Sequence, residues 1–166
     1  PPAPPAIAGC VAEPGSLTDR LVATGRRFAV TPLFLGADIA HPDEASPLAL
    51  AAGAPVFARH VALSLDGTVV VVARSLCHVD CPVWPPILDR GGRSLGLTLF
   101  APGSAVARGA LSFATLRAGH PLHALAAGAA GLPATVPARR CRFVREGAAL
   151  TVAEAFLPAL ETVLAR

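Results

Sequence analysis

Two arginines, Arg59 and Arg74, stand at matching positions on the arms of one predictable hairpin, each among apolar neighbours. The arms are residues 57–65 and 68–76, and the Asp66-Gly67 pair between them is the chemistry of a tight two-residue turn. With Leu65 opposite Thr68, counting back along both strands puts Arg59 directly across from Arg74. Arg59 then shares a strand face with Phe57, Val61, Leu63 and Leu65, and Arg74 shares one with Val70 and Val72 beside them. Like charges opposed on an apolar face repel, and a buried charge needs a partner. Recognition of an anion, through charge-assisted hydrogen bonds to carboxylates, is the chemistry this pair suits. Two other outcomes fit the same residues: internal carboxylates neutralising both arginines as a structural cluster, or a shifted register that turns them to solvent.

A second site candidate lies near the end of the chain. Glu146-Gly147 reads as another two-residue turn, which sets Arg139 across from Glu154. Leu150, Val152, Glu154 and Phe156 fall on one strand face, so the carboxyl of Glu154 sits among large apolar side chains. Burial there raises a carboxyl pKa and a neighbouring arginine lowers it; either makes Glu154 a candidate for proton chemistry, and a partly buried structural ion pair is the alternative. Two further patterns are weaker. Cys77-His78-Val79-Asp80-Cys81 has metal-ligating side chains but no second paired motif, and buried cysteines commonly serve as small core residues. Gly91-Gly92 before Ser94 would let backbone N–H groups approach an anion at a helix start, or simply make a turn.

The elements that must position these residues are mostly short. Ser16 is placed to cap a helix, with Asp19 at the third helical position, Leu17, Leu21 and Val22 as its apolar stripe and Gly25 to close it. A strand over residues 27–34 contains Pro32, which suits an edge. Residues 41–46 read as a turn, residues 81–86 as a proline-rich loop, and residues 120–130 as a short helix inside an alanine- and glycine-rich stretch. Residues 1–15, beginning Pro-Pro-Ala-Pro-Pro, read as a proline-rich flexible leader before a single domain over residues 16–166. The lack of methionine and the start at Pro1 suggest a trimmed or processed chain.

At 166 residues, the chain can bury one sizeable core. Hydrophobic residues make up 53% of it, yet no run of about 18 residues is free of charge, proline and histidine, so no stable membrane insertion is expected. Its formal charge is +3, carried entirely by scattered arginines, with seven phenylalanines and one tryptophan for stacking. That pattern disfavours nucleic acid and suits a small acidic ligand. Four cysteines without a recognisable signal peptide set a reduced, cytoplasmic location as the expectation.

In order and spacing, the segments together resemble the chorismate lyases. The resemblance runs from Ser16-Leu17-Thr18 through Phe57-Ala58-Arg59, Ala73-Arg74-Ser75, Ser94-Leu95-Gly96 and Ala138-Arg139-Arg140-Cys141-Arg142 to Glu154-Ala155-Phe156-Leu157-Pro158. It implies an α+β domain, an antiparallel sheet with helical flaps over a buried ligand. It also implies an activity that removes pyruvate from chorismate to leave 4-hydroxybenzoate, with ubiquinone biosynthesis as its usual role. By that likeness Arg59 would bind the ring carboxylate with backbone N–H groups at Leu17 and Leu95. Glu154 would meet the ring hydroxyl, and Arg74 would line the same cavity near the enolpyruvyl carboxylate. Arg59, Arg74 and Glu154 are thus the expected catalytic residues; no cofactor or metal, no nucleic acid and a monomer are expected. The connection between Leu116 and Ala138, with His120-Pro121-Leu122-His123, is longer than in familiar members and bears on substrate access. A non-catalytic sensor of small carboxylates, on the related fold of regulator effector domains, is the rival reading.

Overall fold

A computed structural model describes residues 3–129 and 134–166. The two tight turns form as their sequences predict. Asp66 and Gly67 have φ of 49° and 81°, and Glu146 and Gly147 have 50° and 75°, the double positive φ that matches a hairpin's right-handed twist. They join β2 (Pro55–Leu65) to β3 (Thr68–His78) and β6 (Thr135–Arg145) to β7 (Ala148–Phe156). β3 pairs with β7, which fuses the two hairpins into one sheet of order β1-β2-β3-β7-β6-β4, with β5 also pairing β6 and every pairing antiparallel. β1 (Phe28–Ile39) takes the edge that Pro32 favours, and its register shifts between Pro32 and Phe34. β4 (Ala107–Arg108) and β5 (Ser112–Arg117) extend the other side.

The first hairpin departs from a simple count in one place. Leu65 pairs with Thr68 and Ser64 with Val69, but Leu63 pairs with Val71, leaving Val70 as an extra, bulged residue. Its carbonyl accepts the Leu157 N–H at 2.9 Å, ahead of α7 (Pro158–Leu164). Beyond the bulge the alternation of β3 relative to β2 is inverted. Arg59 pairs with Ser75 and His60 with Arg74, so the expected Arg59–Arg74 cross-strand pair is corrected: the two arginines point to opposite faces of the sheet.

Each face is covered by helices. On the first, α1 (Pro5–Val11), α2 (Leu17–Val22) and α7 pack a core of Ile7, Cys10, Leu21, Val61, Leu63, Val71, Phe156 and Leu160. Beside it, α4 (Trp84–Leu88) and α5 (Gly96–Leu99) build a second cluster with Cys77, Cys141, Phe143 and Leu150. On the opposite face lie α6 (Pro121–Ala129), over Ala62, Val72, Val136 and Ala155, and α3 (Pro42–Ala45) with a 3₁₀ turn at Ser46–Leu48. The result is the α+β domain expected.

Local expectations change at the leader and at two loops, and hold at one helix. The described part of the leader is not loose: α1 buries Ile7 and Cys10, and the N–H groups of Ala6 and Ile7 donate to Glu161 on α7 at 3.0 and 3.1 Å. Residues 41–46 and the proline-rich loop each hold a short helix begun by prolines, which suit a helix's first turn because their missing N–H would have no partner there. The expected helix near 120–130 forms as α6; residue 130 lies outside the described residues.

Candidate active site

Between the two apolar clusters on the first face lies a cavity of about 70 Å³. That is room for roughly five waters. Arg59 reaches it from β2, Ser75 from β3, Glu154 and Val152 from β7, and Arg139, Cys141 and Phe143 from β6. The start of α2 (Ser16, Leu17, Thr18) and the approach to α5 (Ser94, Leu95, Gly96) close it over the sheet.

Arg59 is buried, 5% exposed, and among the described residues it enters no salt bridge. Its Nη2 donates to the carbonyls of Gly91 and Arg93 at 3.2 and 3.0 Å, which fixes the guanidinium without neutralising it. Burial, and then the nearby charge of Arg90, push its pKa down to about 10. It therefore remains a cation at neutral pH, held in a cavity that would be stabilised by an anion.

The roof has its own hydrogen bonds. Ser16 caps α2 by accepting the Asp19 N–H at 3.2 Å, as its position predicts. Thr18 and Ser94 hydroxyls join at 2.5 Å, and Ser94 Oγ accepts the Gly96 N–H at 3.2 Å, so the two helix starts are tied side by side. A Cβ built on Gly96 would come within 3.1 Å of both Ser16 Oγ and Thr18 Oγ1; only glycine allows this approach without a shift. Leu17, at the first helical position, has an N–H for which the helix supplies no acceptor.

Glu154 lies opposite Arg139, as the second turn predicts, and its Oε1 accepts from Arg139 Nε at 2.8 Å. Arg139 Nη1 also donates to the carbonyls of Glu13 and Val11 at 2.7 and 3.4 Å. A guanidinium anchored on three acceptors thus orients the carboxylate, leaving its second oxygen available.

Arg74 is elsewhere. On the opposite face, 2% exposed, it spends all five N–H donors on protein. Nε and Nη2 fork onto Glu44 at 2.7 and 3.1 Å, Nη1 meets Asp38 at 2.7 Å and His60 Nε2 at 2.8 Å, and Nη2 reaches the Ile39 carbonyl at 3.1 Å. Burial alone would lower its pKa, but Glu44 and Asp38 outweigh that and hold it above its ordinary value. The expectation that Arg74 lines the ligand cavity is therefore corrected: one bulged valine turns it into the internal cluster that was the alternative. Glu44 gave no signal in the sequence; its segment read as a turn.

The cysteine motif does not assemble as ligands. Cys77 and His78 are successive strand residues on opposite faces. Burial, and then Cys81, push the Cys77 thiol up to about 12, and His78 Nε2 lies 2.9 Å from the Leu48 carbonyl, to which it must donate. Among the described residues, His41, Asp43 and His120 have ligand-like spacing. There, however, His120 Nδ1 accepts the Leu122 N–H at 3.1 Å, which leaves Nε2 protonated as a donor to Asp43.

The family model and the curated relatives agree on one family. The chorismate lyase family model matches residues 2–163. The chain belongs to the chorismate lyase family. It is 38% identical over 146 residues to a probable chorismate pyruvate-lyase 1 of Pseudomonas entomophila, covering 87% of this chain and 78% of that one. With a probable chorismate pyruvate-lyase of Ralstonia nicotianae the identity is 41% over 152 residues, covering 87% and 77%. The fold of this chorismate lyase family member is also that of the effector domain of PhnF from Mycobacterium smegmatis, with a TM-score of 0.62, 16% identity and coverage of 87% and 90%.

Proposed function

We propose that this chorismate lyase family member eliminates pyruvate from chorismate and releases 4-hydroxybenzoate. The observation that carries the reading is the buried, anion-free Arg59 in the same cavity as the arginine-held Glu154. Arg59 binds the ring carboxylate, joined by backbone N–H groups at Leu17 and Leu95, and Glu154 meets the ring hydroxyl. During reaction the bond from the ring to the enolpyruvyl oxygen breaks and the hydroxyl-bearing carbon loses its hydrogen as a proton, making the ring aromatic. The departing enolpyruvate takes up a proton and becomes pyruvate. Because aromatisation supplies the driving force, the protein's contribution is positioning and charge stabilisation. Glu154 is placed to orient the hydroxyl and to move a proton. No step is routed through a metal or an organic cofactor. The reading places the protein in the cytoplasm as a monomer, its product serving ubiquinone biosynthesis.

The likeness to an effector domain supports a second reading, in which the same cavity binds a small carboxylate without turnover. One assay separates them. Purified protein, with chelator present, should convert chorismate into equal amounts of pyruvate and 4-hydroxybenzoate. Folded protein that binds 4-hydroxybenzoate but forms neither product would favour the sensor.

A further inference from the structure

Chorismate carries two carboxylates, and with Arg74 on the opposite face the second needs a partner within the cavity. Three arginines line that cavity: Arg59, Arg108 and Arg139. Arg139 is matched by Glu154 at 2.8 Å. Arg59 and Arg108 remain, two positive charges facing a dianion. Among the described residues Arg108 enters no salt bridge.

Its position fits a role at the entrance. Arg108 ends the two-residue strand β4, where it pairs with the cavity-lining Phe143. The side chain is exposed, its guanidinium stacks over the Phe100 ring at 4.9 Å, and Nη1 donates to the Pro14 carbonyl in the connection between α1 and α2. Stacking fixes the plane of the group while leaving its edges free for hydrogen bonds. The protein acceptor is a neutral carbonyl, and a carboxylate adds to the same donor a second charge and the option of a bidentate bond.

We propose that Arg108 binds the enolpyruvyl carboxylate of the substrate at the cavity mouth. This rests on the chorismate reading of the site. Arg59 then holds the ring end, and the ether bond to be broken is strung between two cations. When pyruvate leaves, one of the two anchors loses its ligand, so the product is held by the ring carboxylate and hydroxyl alone.

The test uses Arg108→Gln and Arg108→Lys in the full chain, with two stable probes: 4-hydroxybenzoate, which has one carboxylate, and 3-(carboxymethoxy)benzoate, whose second carboxylate hangs from an ether as the enolpyruvyl group does. Wild-type turnover of chorismate is measured first; its absence would remove the chorismate reading itself, whatever the variants do. With Arg108→Gln, affinity for the dicarboxylate and kcat/KM for chorismate should each fall on the order of tenfold or more, the worth of one charge-assisted bond at a partly exposed site. Affinity for 4-hydroxybenzoate should stay within about threefold, a change of well under one such bond. Arg108→Lys should recover part of the loss. Equal losses for both probes in a variant with unchanged melting behaviour would overturn the proposal, as would dicarboxylate affinity and turnover that match the parent.

Discussion

Arg59 and Arg74 are chemically the same residue on neighbouring strands, and their surroundings give them opposite tasks. Arg59 has two carbonyls and no carboxylate, and its pKa falls to about 10; Arg74 has two carboxylates and its pKa rises. Replacing them should therefore fail in different ways. Arg59→Ala should weaken 4-hydroxybenzoate binding by about 2–5 kcal/mol, because a desolvated carboxylate loses its cation, while the fold keeps or gains stability through loss of an uncompensated buried charge. Arg74→Ala should instead destabilise the fold by about 3–5 kcal/mol, since the carboxylate of Glu44, 4% exposed, would be left without its partner. Titration of product and urea unfolding of both variants separate the two; an Arg74→Ala protein as stable as the parent would contradict the clamp.

At the scale of elements, the site depends on two short helices brought close enough to aim their first turns at one cavity. Gly96 is the contact point, so Gly96→Ala should force the starts of α2 and α5 apart by a few tenths of an ångström. Product affinity should drop about three- to tenfold by loss of donor geometry, yet stability should barely change, because alanine in a helix gains about 0.5–1 kcal/mol over glycine. Unaltered affinity would mean that the roof does not position the ligand. The same scale shows what the sequence could and could not reveal. Arg139 meets Glu154 as counted, since that hairpin runs without irregularity from its turn. The first hairpin has an equally clear turn, but Val69 to Val72 are four identical residues, and nothing in them marks Val70 as the one left unpaired. Short helices such as α4 escaped because their formation depends on burying Trp84, a tertiary contact, rather than on local periodicity. Arg108 drew no notice because a two-residue strand has no pattern to read.

Across the whole molecule, the sheet separates two electrostatic regimes: a ligand cavity with surplus positive charge on one face and a closed network of Arg74, Glu44, Asp38 and His60 on the other. The second should titrate without disturbing the first. His60 Nε2 accepts from Arg74, so the ring must be neutral; burial, then the charge of Arg74, lower its pKa from 6.5, against smaller opposing effects of Asp38 and Glu44. The folded chain therefore binds this proton less readily than the unfolded chain. As pH falls through 6.5 the unfolded state takes up more protons, stability declines, and the decline stops once pH is below the folded-state pKa. Asp38, whose pKa is lowered although burial works to raise it, because Arg74 and the Ile39 N–H outweigh burial, adds its own loss only at pH below 3.8, well away from the histidine window. Urea unfolding between about pH 7.5 and pH 5.5 should show the parent losing stability on acidification and His60→Gln, which keeps a neutral acceptor for Arg74, nearly flat over the same range. Arg59 stays charged throughout with its pKa at about 10, so 4-hydroxybenzoate affinity should not follow the stability curve. A parent protein with no slope in that window, or a His60→Gln variant with the parent's slope, would show that the proton-sensitive group lies elsewhere.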